Sequence, residues 1–588
     1  MGSVDLAGAA AGERSVHRSR WWQRGWQWVR SAAHKIRLRL WVRYLVFLLF
    51  MEGLSVVLGL WSGLFPLHHQ VLTEAPLLLA LYWVFGFALR PGKLSAIVAA
   101  VPLAAAYIAS DVYFIAYGDV LRAIDLRNLP ELLKVLHFEG TAALLFALAL
   151  PLALLLAFVD YRRVRRVLIA TGLLILGFAA LELAPHAVVT GFVAAGVEEM
   201  DLSDAGCLDD NGRVTVLIYF EAARRVAIER TTAYRKRAEA DERIPATADF
   251  IRANGNRHNV YLVVLESWLD PTLFRDVTFS RDPRYPDFAQ LVGDNQGFSI
   301  SPVFGGQTAQ AEFEALCGVP ALSQISFIEF NSFTGHPAGC MPGILRRAGY
   351  TTYASNAYMP DYFNTIKAYA GIGFDKVYFA RELAPDRETY LTDQKISGVE
   401  DFLFDGDLFE QNLAFVARTL KQHPGQPILN YVLTIYGHEP HDIDTDLRPL
   451  VLQMKAPHDD QQLARAANQY WYRTQAIAAY VRGLIKLDPN SLIILVSDHV
   501  PPLDAGIDSY KDFGYLNNIE DSIHMNRILV VENGTVVRHQ TIHHYQVPSL
   551  IYDYLTGDKF CAQHNCDPQV DERNDQYMLL MSRAASPM

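Results

Sequence analysis

The sequence predicts a polytopic α-helical membrane domain followed by an α/β domain with a mostly parallel central sheet. Three observations carry that expectation. Apolar residues crowd into five runs in the first third of the chain, short β-like runs alternate with helical stretches after Asn259, and three of those β-like runs end in residues able to bind a metal or phosphate. The composition agrees: 51% hydrophobic against 20% charged residues over a length of 588, too long for one ordinary domain.

Residues 1–43 form a basic arm that carries Arg14, Arg18, Arg20, Arg24, Arg30, Lys35, Arg37, Arg39 and Arg43. Trp21, Trp22, Trp26 and Trp28 lie among these arginines and suit a lipid headgroup zone or an extended arm. The five runs, Tyr44–Phe65, Val71–Leu89, Leu94–Tyr117, Ala142–Val159 and Val167–Leu183, are each close to the ~20 residues that a helix needs to cross a hydrocarbon core. The basic connections Arg90–Lys93 and Tyr161–Arg166 belong on the cytoplasmic side with the arm. Five spans in residues 44–193 would then place everything after Leu183 outside the cytoplasm. The first run follows a charged arm and has no small-residue cleavage site, so it reads as a retained anchor. Glu52 and Asp111 fall inside apolar runs, and no role is assigned to either. The loop 118–140 has a helical apolar pattern, read as packing under the outer domain.

Residues 194–250 read as a connector with a solvated helix that ends near Ile244–Pro245, and residues 251–557 as the outer domain, with 558–588 as a C-terminal tail. All five cysteines follow the last span. An oxidising compartment permits disulfides there, with Cys317 and Cys340, or Cys561 and Cys566, as candidates; the spacing decides neither. With a net charge of −11, no nucleic-acid partner is expected.

In the outer domain N-V-Y-L-V-V-L runs into Glu266, P-I-L-N-Y-V-L-T toward His438, and S-L-I-I-L-V-S into Asp498 and His499. Ligands of open α/β sheets gather at the carboxyl ends of strands. Between them lies S-P-V-F-G-G-Q-T-A-Q-A-E-F-E-A-L-C-G-V-P, Ser301–Pro320, in which two glycines permit a tight turn into a helix that starts at Thr308 and ends at Gly318. Acidic residues are expected in the first turn of that helix. A threonine at a helix N-terminus can cap the helix or present its hydroxyl to a bound phosphate or sulfate. Its alcohol needs a base or a metal to become a nucleophile, and Glu266, Asp498 and His499 form a mixed oxygen and nitrogen set suited to one divalent ion, manganese first, with magnesium and zinc as alternatives.

V-V-L-E-S-W, F-G-G-Q-T-A-Q-A-E-F, Y-G-H-E-P-H and V-S-D-H-V-P-P occur in the order and rough spacing of the lipoteichoic acid synthase family, and Thr541–Gly557 is similar to the closing helix of its wider superfamily. The chain therefore resembles that phosphoglycerol transferase family of the alkaline phosphatase and sulfatase superfamily over about 259–557, and the spans before an outer domain look like its layout. The resemblance implies a sulfatase-like fold, a metal held by Glu266, Thr308, Asp498 and His499, and Thr308 as the nucleophile that attacks a phospholipid phosphate. It implies His438 at the phosphate, and a phosphatidylglycerol or phosphatidylethanolamine donor whose headgroup passes to an envelope glycan or glycolipid. It also implies a multi-pass protein of the bacterial inner membrane with a periplasmic catalytic domain. In that family an F-W-N-R segment contacts the headgroup, whereas Tyr362–Thr365 reads Y-F-N-T here. Tyr358, Asp361 and Asn364 are the candidates for an altered headgroup pocket. Phosphoglycerol is ranked ahead of phosphoethanolamine, which Asp361 would favour. A sulfatase activity ranks lower, because no C/S-x-P-x-R precursor of formylglycine stands at Thr308. The same motifs are also compatible with a hydrolytic phosphodiesterase, or with an inactive membrane-anchored interaction protein.

Overall fold

The computed structural model describes residues 41–65, 68–117, 120–135, 138–197 and 207–586. Most of the basic arm with its four tryptophans, and Leu136 of the loop after the third run, lie outside the described residues. The described residues divide into two compact units, one formed by those within 41–109, 142–178 and 208–215, the other by those within 110–141, 179–207 and 216–586.

Among the described residues four helices are long and apolar enough to cross a membrane: Trp41–Ser62, Lys93–Ile115, Phe138–Phe158 and Val164–Leu183. The second expected run forms the 21-residue helix His68–Ala88, within which Thr73–Ala88 is a shorter apolar helix. Glu74 and Pro76 stand near its start. Glu74 is buried, and Tyr107 donates its hydroxyl to Oε2 at 2.5 Å. Asp111 is buried and Glu52 partly so. Phe138–Phe158 has no buried residue at all. A helix this apolar with no buried face needs a surrounding other than water.

In the second unit the loop residues form a short turn at Ala123–Asn128 and the helix Leu129–Val135. Ile124 is buried in the main core, and the Arg122 guanidinium lies 5.5 Å from the Phe220 ring and 5.4 Å from the Phe327 ring, as expected for packing. The connector helix runs Arg213–Glu239 and is not solvated throughout. Phe220, Ala222, Val226 and Ala227 of its middle are buried, because apolar residues at helical spacing form a stripe within the charged run. Pro245 lies in the first turn of the next helix, Arg243–Asn254, where its missing N–H costs nothing, so it opens that helix and does not close the connector.

Eleven strands follow: β1 Val260–Leu265, β2 Thr278–Phe279, β3 Gly297–Ile300, β4 Thr351–Asn356, β5 Lys376–Phe379, β6 Ile428–Leu433, β7 Met454–Lys455, β8 Leu492–Ser497, β9 Met525–Glu532, β10 Thr535–Val537 and β11 Ile542–His543. Nine of them build one sheet in the order β11-β3-β9-β8-β1-β6-β4-β5, with β10 on β9. β8, β1, β6, β4 and β5 are mutually parallel, and β9 runs antiparallel to β8 and β3. Every residue of β1 is buried. Val260, Leu262 and Val264 face one core, while Tyr261, Val263 and Leu265 face the other. Both faces are covered, which is why this strand is a continuous apolar run and not an alternating one. Residues 558–586 add a helix, Val570–Ala584, whose Tyr577, Leu580 and Met581 enter the first of these cores.

Candidate metal and nucleophile site

Strand register brings the site together. Leu265 pairs with Ser497 across β1 and β8, so the next residues, Glu266 and Asp498, emerge side by side at the carboxyl edge of the sheet. The Glu266 amide donates to Thr434 Oγ1 just past the end of β6, at 3.0 Å. The loop after β3 turns at Gly305, whose φ of 69° favours glycine, and enters the helix Thr308–Cys317. Gln307 holds the N-cap position at φ 64°, so Thr308 is the first helical residue and not the cap. The first turn carries no acidic residue; Glu312 and Glu314 come later and are buried. Three non-glycine residues of the site region, Ser267, Gln307 and His441, hold left-handed backbone, a strain that persists where surrounding contacts over-determine it.

Glu266, Asp498 and His499 each offer one ligand atom, and these atoms lie within 4.8 Å of one another, all on buried side chains. The Thr308 hydroxyl donates to Glu266 Oε2 at 3.0 Å and is only partly buried, so it faces the accessible side of the cluster. Asp498 Oδ1 accepts from the amides of Ser267 at 2.7 Å and His499 at 2.6 Å. His499 Nδ1 lies 3.1 Å from the Val500 carbonyl, which can only accept, so Nδ1 carries the proton and Nε2 presents a bare lone pair. That Nε2 stands 3.2 Å from Asp498 Oδ2, and neither atom has a hydrogen-bond partner among the described residues. Two buried acceptors facing each other repel unless a cation or a proton lies at hand. The donor set therefore fits a divalent metal.

Electrostatics follow the same logic. Burial pushes the Asp498 carboxyl well above the usual range, and the adjacent Glu266 charge adds to this. Burial also works to raise Glu266, but His499, His438 and the hydrogen bonds from Ser267 and Thr308 outweigh it and hold the carboxyl below its ordinary value. Burial lowers His499. A bound divalent ion would be the largest local charge and would stabilise both carboxylates.

His438 lies in the loop after β6, partly buried, with Nδ1 2.7 Å from the Glu439 carbonyl and its ring 5.2 Å from that of Phe402. Tyr358 follows β4; burial raises its phenol to about 12, and the Glu266 charge contributes. Asp361 is exposed. Asn364 Nδ2 donates to the carbonyls of Phe330 at 2.8 Å and Phe333 at 2.9 Å, which ties the loop after β4 to the segment around the turn Glu329–Ser332. Thr365 is buried and bonds the Tyr362 carbonyl at 2.5 Å at the start of the helix Thr365–Ile372.

One positioning residue escaped the sequence reading. Arg473, on the helix Gln461–Leu487, donates Nη2 to the Glu266 carbonyl at 2.7 Å and Nη1 to the Ser267 carbonyl at 3.3 Å, while its Nε bonds Asp405 Oδ2 at 2.7 Å. The pair is buried. A Cβ on Gly437 would meet both the Glu266 carbonyl and Arg473. The available signal was an arginine on the apolar stripe of an amphipathic helix, between buried Gln469, Tyr470 and Ile477.

The sulfatase family profile matches residues 258–557, about the stretch over which the motifs recur. This chain belongs to the sulfatase family. A relative of this sulfatase-family chain is a Rhizobium meliloti (strain 1021) protein named for cyclic beta-1,2-glucan modification, 25% identical over 292 residues. The match covers 48% of this chain and 41% of that protein, so the chain spans less than half the length of the relative. Similar solved structures include Streptococcus pyogenes phosphoglycerol transferase GacH (17% identity, 60% of this chain, 92% of that chain, TM-score 0.44). Others are the lipoteichoic acid synthase LtaP from Listeria monocytogenes (16%, 52% and 74%, TM-score 0.41) and the C-terminal periplasmic domain of EcEptC from Escherichia coli (12%, 51% and 84%, TM-score 0.35).

Proposed function

We propose that the chain is a membrane-anchored, metal-dependent phosphotransferase that moves a phospholipid headgroup, phosphoglycerol first and phosphoethanolamine second, through a phosphothreonine at Thr308 onto an envelope glycan or glycolipid. The observation that carries this reading is the partly exposed Thr308 hydroxyl, 3.0 Å from Glu266 at the edge of the buried Glu266–Asp498–His499 cluster. Glu266, Asp498 and His499, with the Thr308 oxygen, would hold the ion. When bound, a divalent metal lowers the pKa of a ligated hydroxyl and polarises a phosphoryl oxygen.

The residues divide the remaining work. The hydroxyl proton of Thr308 leaves along its hydrogen bond to Glu266, and Thr308 Oγ1 forms a bond to phosphorus as the bond from phosphorus to the diacylglycerol oxygen breaks. His438 gives that oxygen its proton. In the second half-reaction His438 takes the proton of an acceptor hydroxyl whose oxygen attacks the phosphorus, and Thr308 Oγ1 departs and regains its proton from Glu266. The helix N-terminus beneath Thr308 favours the anionic phosphoryl group throughout. The orientation that brings the lipid to this site, with five crossings of residues 44–193 and the domain 251–557 outside the cytoplasm, belongs to the same proposal. The neighbouring phosphotransferases and the glucan-modifying relative support it by their names alone.

The test is incubation of the purified protein with headgroup-labelled phosphatidylglycerol and, separately, phosphatidylethanolamine. Release of diacylglycerol together with label on the Thr308 peptide is the expected result. Hydrolysis of a sulfate ester with no label on Thr308 would overturn the reading in favour of a sulfatase.

A further inference from the structure

Three loops meet at the carboxyl edge of the sheet beside the nucleophile: one after β4, one after β5 and one after β6. Together they form a row of aromatic rings in which each touches the next, with centroids of His438 and Phe402 5.2 Å apart, Phe402 and Tyr358 6.3 Å, Tyr358 and Tyr362 4.9 Å, and Tyr362 and Phe363 4.3 Å. All five residues are partly exposed, unlike the fully buried aromatic residues of the core. At the His438 end the row borders a cleft of about 10 Å³, room for one water and not for a sugar ring, whose lining includes Asp401, Phe402, Tyr436, His438, Asp442 and Gln469. Its polar groups are differently committed. Glu400 is held by Arg448 at 3.0 Å and by the Tyr436 hydroxyl at 2.9 Å, and Asp442 pairs with Arg465 at 3.1 Å. Asp401 is exposed and has neither a hydrogen bond nor an ion pair among the described residues.

We propose that the partly exposed side of this ring row, with Asp401 at its end, is the acceptor subsite and binds sugar rings of a neutral glycan; the proposal rests on the transferase reading above. A pyranose offers a C–H face that packs on an aromatic ring and a rim of hydroxyls that donate to carboxylates. Partly exposed Phe402 and Tyr358 supply the first surface, and Asp401 the second. The carboxylate at the cleft disfavours an anionic lipid surface or a second phosphate. Rings set in a row suit an extended chain of sugars, whereas an ammonium headgroup is held best where several rings converge on one point. Contact between the row and His438 places an acceptor hydroxyl beside the group that would take its proton. Asp401 is the specificity residue in this scheme, since it touches neither Thr308 nor its carboxylate partners, whereas Phe402 also packs on the His438 ring.

The test uses the full chain in detergent with labelled donor lipid and a linear neutral β-glucan hexasaccharide as the acceptor probe. Asp401→Asn is expected to leave labelling of Thr308 within about twofold of native, while Phe402→Ala, which removes a ring packed on His438, is compared on the acceptor step alone. Both should raise the acceptor KM by about tenfold, since one stacking or charge-assisted contact is lost. Calorimetric binding of the hexasaccharide to the Thr308→Ala protein measures the subsite without any chemistry. Binding there that is lost on adding Phe402→Ala supports the proposal. Absence of binding, or an acceptor KM unchanged in both variants, overturns it. Failure of native protein to label Thr308 overturns the transferase reading instead, and the binding arm still decides whether this surface holds a glycan.

Discussion

His499 Nε2 and Asp498 Oδ2 face each other at 3.2 Å as two unpartnered acceptors, and this pair makes the strongest demand for a cation in the described chain. Asp498→Asn removes one ligand charge and is expected to lower turnover on the order of 100-fold or more and to weaken manganese binding in parallel, read by calorimetry on the same preparation. Unchanged metal affinity would remove Asp498 from the ligand set. At Thr365, where the family resemblance placed a missing arginine, the side chain is buried and bonded to the Tyr362 carbonyl. Thr365→Arg should therefore overpack the start of its helix and cost about 1 to 3 kcal/mol, seen as a lower Tm, without improving use of phosphatidylglycerol. A gain in phosphatidylglycerol turnover at unchanged Tm would show instead that this position reaches the headgroup. Gly437→Ala drives a methyl group into the Glu266 carbonyl and Arg473, and loss of metal binding measured in a variant that still folds would confirm that this glycine is needed for the clamp on Glu266.

The helix Thr308–Cys317 carries the proposed nucleophile, Thr308, at one end and a disulfide at the other, where Cys317 pairs with Cys340 across 23 residues. Closing a loop of this length stabilises by about 3 kcal/mol in the chain-entropy account, so the double replacement by alanine should lower the denaturation midpoint accordingly in a detergent titration. Cys561 pairs with Cys566 as well. Inside the helix, Glu312 accepts hydrogen bonds from the hydroxyls of Tyr369 and Tyr431, and Glu314 accepts from the Ala321 amide. Gln310 donates to Glu329. Burial pushes the Glu312, Glu314 and Glu329 carboxyls up to about 7, 8 and 7 from an ordinary 4.5. Each keeps its proton to higher pH in the folded chain than in the unfolded one. The folded state therefore binds more protons between pH 4.5 and about 8, and stability falls as pH rises through that window. Glu312→Gln should flatten the slope of unfolding free energy between pH 5 and 7 by up to about 1.4 kcal/mol per pH unit. An unaltered slope would mean that this carboxyl titrates normally in the fold.

For the whole molecule the proposed topology predicts that a membrane-impermeant thiol label reaches a cysteine placed at Glu139 from outside but not one at Lys93. The reverse pattern would invert the chain in the membrane. Much of this architecture was legible in the sequence. Apolar run length and basic connections reveal the long apolar helices, Phe138–Phe158 with no buried residue among them, because a helix long and apolar enough to cross a membrane needs no partner to announce itself. The β1, β6 and β8 runs and the residues that end them were equally plain, since a strand buried on both faces is an unbroken apolar run. Other features needed the tertiary structure. Periodicity alone could not show that Glu74 is buried within the helix His68–Ala88. Arg473 reaches Glu266 across 207 positions of sequence, and no local pattern reports a contact of that range. Asn364 and Thr365 look like free polar side chains in one dimension, yet Asn364 bonds the distant carbonyls of Phe330 and Phe333 and Thr365 bonds the Tyr362 carbonyl of its own loop. By itself the sequence determined which residues could bind a metal and carry a phosphoryl group, because residue chemistry is local. Only the tertiary structure decided which of them share a point in space, because strand register, the strained turns at Ser267 and Gln307 and the Arg473 clamp fix that point through contacts distant in the chain.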